Sequence, residues 1–243
     1  MPRVRVDRLL VERGLFESRN KAQAAIAAGK VTVDGRVVRA GSEYVDEACA
    51  LNGEAAHPWV GRAAIKLAHA LAIWPIIVED RVVLDVGAST GGFTEVCLQR
   101  RARRVYAVDV GRGQLHPRLI GDSRVVDLQA TDARRLTEAL IPEAPELVVC
   151  DASFIGLSKV LPVPLSLAAA EADLVALVKP QFELGPGMVS GHGIIRDVGG
   201  VHRAVSEVVR WLTAQGWPVQ ATTPSPIGGG DGNQEVLVWA RRA

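Results

Sequence analysis

The chain has 243 residues, 48% of them apolar and 23% charged, with 28 Lys and Arg against 27 Asp and Glu. This suits a soluble, well-cored protein of two domains; apolar runs such as residues 174–178 are far short of the roughly 20 residues that span a bilayer, and the charged start lacks a signal peptide's apolar core, so a cytoplasmic protein off the membrane is expected. Cys49, Cys97 and Cys150 are odd in number and too widely spaced for a disulfide framework or a zinc site; they read as buried apolar residues, and no metal is expected.

Charge is unevenly spread. Residues 1–40 carry nine bases and four acids, and the remainder 19 bases and 23 acids. A compact basic module ahead of a mildly acidic one points to polyanion binding, because phosphate neutralisation supplies most non-specific nucleic-acid affinity. Within the module, Val6, Leu9 and Leu10 give a short amphipathic helix ended by Gly14. Ser18 caps a second helix over 19–28, with Ala22, Ala25 and Ile26 on its apolar face and Gly29 as its stop. Val31 and Val33, then Asp34-Gly35, then Val37 predict a hairpin closed by a type I′ turn. The module reads α-α-β-β. Residues 5–41 of this order closely resemble the S4 RNA-binding domain. The resemblance implies that Arg5, Arg8, Arg19, Asn20, Lys21 and Lys30 line a face that grips structured RNA.

Periodicity lapses over 51–60, where Asn52-Gly53 and His57-Pro58 signal turns; the expected division is a binding domain over 1–56, a linker over 57–62 and a main domain over 63–243. The main domain opens with a helix over 63–72. A strand over 82–86 then runs into Gly87-Ala88-Ser89-Thr90-Gly91-Gly92, followed by a helix over 93–100 and a strand over 104–109. Strand, glycine loop, helix and strand with a terminal acid make a nucleotide-binding β-α-β unit. Further strands are expected at 124–128, 147–150, 174–179 and 235–239, giving an α/β fold with a parallel sheet covered on both faces.

The loop discriminates between ligands. Asp85-x-Gly87-x-x-x-Gly91-Gly92 lacks the second glycine of the dinucleotide pattern, and an acid at Asp85 suits the ammonium of S-adenosylmethionine where it would repel a pyrophosphate. Asp85, Gly87, Ala88, Ser89, Thr90, Gly91, Gly92 and Phe93 are the candidate cofactor loop; Asp109, with Val110 beside it, would take the ribose hydroxyls. Asp132 resembles the adenine-contacting position of class I (Rossmann-like) methyltransferases, and serves equally as a helix cap for 133–139.

After the fourth strand the chain reads Cys150-Asp151-Ala152-Ser153-Phe154, without the Pro-Pro-aromatic motif of amine methylation. Cys150 ends an apolar strand and points away from Asp151 if the strand alternates, which removes the nucleophile that carbon-5 methylation needs. Lys66, Asp151, Lys179 and Glu235 remain, polar groups at strand and helix ends. Only five of the 28 bases are lysine, and Lys66 and Lys179 are two of them; a lysine's charge is tunable by burial and neighbours, an arginine's effectively not. Such a set suits a ribose 2′-hydroxyl, with Lys179 taking its proton at a pKa lowered by burial and by Lys66, and Asp151 and Glu235 orienting the lysines.

The S4 domain, residues 83–94, 106–115 and 178–183, and Gly193-Ile194-Ile195-Arg196-Asp197 together resemble the TlyA family over nearly the whole chain. That resemblance implies an S-adenosylmethionine-dependent rRNA cytidine 2′-O-methyltransferase of the FtsJ-like type, sometimes labelled hemolysin, with Lys66, Asp151, Lys179 and Glu235 as the catalytic set. Ribosomal RNA or a ribosomal subunit would be its partner, and Arg62 an RNA contact. Gly61 stands where the family often has Ser, and Asp132 where Asn is common. The chain ends soon after Trp239, short of longer members, which favours large-subunit RNA as the substrate and leaves small-subunit activity open. Two rival expectations are a non-catalytic ribosome-assembly factor and a membrane-active hemolysin.

Overall fold

The computed structural model describes residues 2–184, 198–229 and 232–242. The chain divides into two compact units, Met1–Pro58 and Trp59–Ala243.

In the first unit, α1 (Val6–Glu12) and α2 (Arg19–Ala27) pack Val6, Leu9, Leu10, Ala22, Ala25 and Ile26 into one core with Val31 and Val33. The Ser18 hydroxyl caps α2 by accepting from the Lys21 amide at 3.4 Å. The predicted hairpin forms between β2 (Val31–Val33) and β3 (Arg36–Val37), with Asp34 and Gly35 both at positive φ, 47° and 79°. Three short strands add to the predicted α-α-β-β. β1 (Arg3–Arg5) pairs with β4 (Tyr44–Asp46), and β5 (Leu51–Gly53), in the segment expected to be irregular, pairs with β2.

The second unit is built on a seven-stranded sheet. Its parallel strands are β6 (Val82–Val86), β7 (Arg104–Val108), β8 (Val125–Leu128), β9 (Leu147–Cys150) and β10 (Asp173–Val178). The expected parallel sheet carries two antiparallel strands at one end: β11 (Val219–Pro224) pairs antiparallel with β12 (Val236–Arg241) and β12 antiparallel with β10, in the order β11-β12-β10-β9-β6-β7-β8. Β6 goes on to β7 and β8 on one side and the chain returns to β9 on the other, so the crevice at the carboxyl ends of β6 and β9 is a switch point where open sheets bind ligands.

The two sheet faces are apolar in alternate phase. Val82, Leu84 and Val86 pack with Leu157 and Val160 of α6 (Leu157–Val160) and with Ala204, Val208 and Leu212 of α9 (Val198–Ala214). Val83 faces the other way, toward Leu67 of α3 (Ala63–Ile73) and Val96 of α4 (Gly92–Gln99). Val149, Leu177 and Leu237 share this second face. Residues two further along β9 and β10, Asp151 and Lys179, continue that phase, as does Glu235 two before Leu237.

Candidate active site

Phase, then, sends Asp151, Lys179 and Glu235 toward the face that α3 covers, and Lys66 lies on the buried side of α3. The four side chains meet. Lys66 Nζ is 2.5 Å from Glu235 Oε2 and 3.6 Å from Asp151 Oδ2, and Lys179 Nζ is 2.7 Å from Asp151 Oδ1. Lys66, Lys179 and Glu235 are all buried, and the cluster sets two bases against two acids. Because β12 is antiparallel, its first residues, not its last, lie at the carboxyl edge, and that is how Glu235 joins residues that follow β9 and β10.

Lys179 has two further partners, donating to the Asp151 carbonyl at 3.1 Å and to the Ser153 hydroxyl at 2.8 Å. Ser153 sits in a loop tied at several points to α8 (Pro180–Glu183), the helix that Lys179 caps. Glu183 accepts from the Leu157 amide at 2.9 Å, burial pushing its carboxyl up, and the Phe154 ring lies 5.3 Å from that of Phe182. Phe154 is 90% exposed and holds φ at +66°, uncommon for a residue with a side chain.

Two adjoining cavities, about 460 and 530 Å³, open here, each of a size that holds a cofactor-sized ligand. The first is lined by Arg62, Lys66, Ala88, Thr90, Gly92 and Phe93 together with Lys179 and Glu235; the second by Asp109, Val110, Asp132 and Ala133. Gly87, Ser89, Asp151, Ser153 and Phe154 border both. Asp109 accepts from the Ser89 amide at 2.8 Å and the Gly111 amide at 2.7 Å, a carboxylate fixed by backbone at the rim of the second cavity with lone pairs to spare for ribose hydroxyls. Gly87 has φ +83°, and a Cβ there would come within 2.9 Å of the Ala152 backbone. The bare backbone and the fixed acid fit an adenosine-bearing ligand.

Two residues of the expected cofactor loop line neither cavity. Asp85 shares the Val83 phase, so its carboxyl turns under α4, fully buried, and accepts from the Thr94 hydroxyl at 2.7 Å; burial pushes its pKa up to about 7. Gly91, at φ +91°, begins α4, where a Cβ would collide with Leu119 and Leu115. Asp132 caps a 3-10 turn (Ala133–Arg135) in place of the expected helix over 133–139, and the Arg134 guanidinium, 2.6 Å away, holds its carboxyl below the usual range. Cys150 is packed on the opposite face from Asp151, and burial raises its thiol to about 12, which rules out a ready thiolate. Ser153 and Phe154 are site residues that the sequence reading did not single out, although they directly follow Asp151. The motif residues 193–197 lie outside the described residues.

In the first unit, Arg5 and Arg19 converge on the buried Asp7 at 2.9 and 3.0 Å, Arg8 pairs with Glu12 and Lys21 with Glu17, and Lys30 donates to the Ala55 carbonyl. Asn20 is exposed at the start of α2.

Residues 59–242 match the FtsJ-like methyltransferases and residues 4–47 match the S4 domain. Over 98% of this chain and 90% of the relative, the sequence is 45% identical to the 16S/23S rRNA (cytidine-2′-O)-methyltransferase TlyA of Mycobacterium tuberculosis. The chain belongs to the TlyA family. A solved hemolysin-named structure from Streptococcus thermophilus aligns with TM-score 0.79 and 37% identity, covering all of this chain and 90% of that one. An S-adenosylmethionine-dependent methyltransferase from Listeria monocytogenes shares the fold of three quarters of the chain, with TM-score 0.56 at 13% identity. This TlyA-family chain is therefore an S4-domain methyltransferase that uses S-adenosylmethionine. None of its described helices is long and apolar enough to cross a membrane.

Proposed function

We propose that the protein methylates the 2′-hydroxyl of a cytidine in ribosomal RNA, the Met1–Pro58 unit binding the RNA and the Trp59–Ala243 unit carrying the chemistry. The observation that carries this reading is the Lys66-Asp151-Lys179-Glu235 cluster, which lines one of two adjoining cavities and through Asp151 borders the other.

S-adenosylmethionine supplies an electrophilic methyl group on a sulfonium that leaves as a neutral thioether. Asp109 would hold the ribose hydroxyls of that ligand, and the bare backbone at Gly87 would let it approach. A ribose hydroxyl is a weak nucleophile and must shed its proton as the new O–C bond forms; Lys179 in its free-base form takes that proton at Nζ. Lys66, 2.5 Å from Glu235 and 3.6 Å from Asp151, shares Asp151 with Lys179 and helps to orient it. Arg62, on the rim of the first cavity, offers a guanidinium to the neighbouring phosphate.

The test is methyl transfer from labelled cofactor to separated ribosomal subunits and to their naked RNA, with the product nucleotide mapped by mass spectrometry. Wild type labels a cytidine ribose, and Lys179→Ala loses at least a hundredfold in rate, within the range of a lost general base. No label with either subunit refutes the substrate; label on a base refutes the ribose; an unimpaired Lys179→Ala refutes the role of Lys179. Comparing the two subunits decides between large- and small-subunit RNA.

A further inference from the structure

We propose that Ser153 is a catalytic residue, relaying the proton between the substrate hydroxyl and Lys179. The inference rests on reading Lys179 as the base. Lys179 Nζ has three oxygens around it: it donates to the Asp151 carbonyl and to the Ser153 hydroxyl, and lies 2.7 Å from the Asp151 carboxylate as an ion pair. A carboxylate and a carbonyl only accept. Of the three, only the hydroxyl both accepts and donates, so when Lys179 is the free base only Ser153 can hand it a proton. The direction of Nζ that exchanges its proton is the one aimed at Ser153.

Position agrees with this. Lys179 is buried and lines only the first cavity, whereas Ser153 is exposed and borders both, so Ser153 can be reached from either cavity. An exposed serine has water to bond with, and its hold on a buried lysine needs a reason. The loop supplies it: Phe154 packs on Phe182, and the Leu157 amide donates to Glu183, so both tethers fasten the loop to the helix that Lys179 begins. The left-handed backbone at Phe154 turns the loop between Ser153 and these tethers. Ser153 and Lys179 are thereby carried on one assembly, as a relay requires.

The transfer balances. The O2′–H bond breaks as the O–H bond to Ser153 Oγ forms; the original Ser153 O–H breaks as the third N–H of Lys179 forms. The lone pair left on O2′ makes the bond to the methyl carbon, and the electron pair of the breaking S–C bond stays on sulfur. Serine ends unchanged.

Single-turnover methylation of ribosomal subunits, with S-adenosylmethionine and RNA affinities measured alongside, tests the relay in Ser153→Ala, Ser153→Thr and Lys179→Ala. Expected are a loss of about a hundredfold in rate for Ser153→Ala with both affinities within twofold, and recovery to within about threefold of wild type by Ser153→Thr, which keeps the hydroxyl. A Ser153→Ala rate within threefold of wild type overturns the relay and sends the proton straight to Lys179. Equal slowness of Ser153→Thr and Ser153→Ala also overturns it. An unimpaired Lys179→Ala instead overturns the reading of Lys179, whatever the Ser153 variants do.

Discussion

Replacing Asp85 with asparagine separates a buried structural acid from a ligand-facing one. The carboxyl is fully buried under α4 with the Thr94 hydroxyl as its donor, and desolvation, reinforced by the charges of Asp151 and Asp109, lifts its pKa from 3.8 to about 7. The folded protein therefore binds a proton here that the unfolded chain has already released between these two values, so this group's contribution to stability falls as pH rises through that window. At 1.36 kcal/mol per unit, the full shift corresponds to about 4 kcal/mol at most. Asparagine cannot ionise, and its constant cost, an amide in place of a carboxyl, is the same at every pH. A scan from pH 5 to pH 8.5 samples about 2 units of that window, or about 3 kcal/mol, so the melting temperature of Asp85→Asn minus that of wild type should rise by roughly 5–10 °C, at roughly 2–4 °C per kcal/mol for a chain of this size. Differential scanning fluorimetry without cofactor reads it directly. A difference constant within about 2 °C across that range would refute the buried, raised carboxyl and restore Asp85 to the cofactor.

Phe154→Ala should leave the melting temperature within about 1 °C, since the ring is 90% exposed, yet lower kcat/KM for RNA by roughly tenfold to a hundredfold, the usual worth of a base-stacking aromatic; an unchanged kcat/KM would leave the ring without a role in substrate binding. Asp7 is held below the usual carboxylate range first by Arg5, then by Gln23 and Arg19, so it stabilises the fold above its unfolded pKa and loses that contribution as pH falls. Asp7→Asn should accordingly destabilise the Met1–Pro58 unit at pH 7 and less so toward pH 3, read by hydrogen exchange of α1 and α2; a pH-independent deficit would contradict the ion-pair account.

Local signals carried most of the legible structure. The Asp34-Gly35 turn, the Ser18 cap and the glycine-punctuated unit from β6 to β7 each depend on a few adjacent residues whose backbone preferences are strong. Pairings of three-residue strands between Arg3–Arg5 and Tyr44–Asp46 leave no such mark, because neither partner is long enough to show a period. The strand β11 has no place among the expected ones for a different reason: Thr222, Thr223 and Pro224 on an edge strand leave little apolar alternation to show it. The tetrad was legible through the scarcity of lysine and the strand ends. The burial of Asp85 is not legible in the sequence, because strand phase says only that alternate residues share a face, and which face α4 covers is a tertiary fact. Ser153 and Phe154 escaped because nothing local announces a left-handed phenylalanine.

The same phase argument that moves Asp85 away from the cofactor explains why the tetrad assembles. Asp85, Asp151, Lys179 and Glu235 all project to the α3–α4 side of the sheet. Asp85 lies within β6, where α4 closes over it; Asp151 and Lys179 lie one residue past the ends of β9 and β10, and Glu235 one before β12 begins, where the covering helix gives way to the cavity. Two residues of register thus separate an acid closed over by α4 from one that borders the cavity. Lys66 enters from α3 because a helix crossing that face presents one buried side, and its basic residue there must find carboxylates or remain unpaired at a cost of several kcal/mol. The antiparallel β12 supplies the carboxylate that a seventh parallel strand, starting from the opposite edge of the sheet, would have placed out of reach.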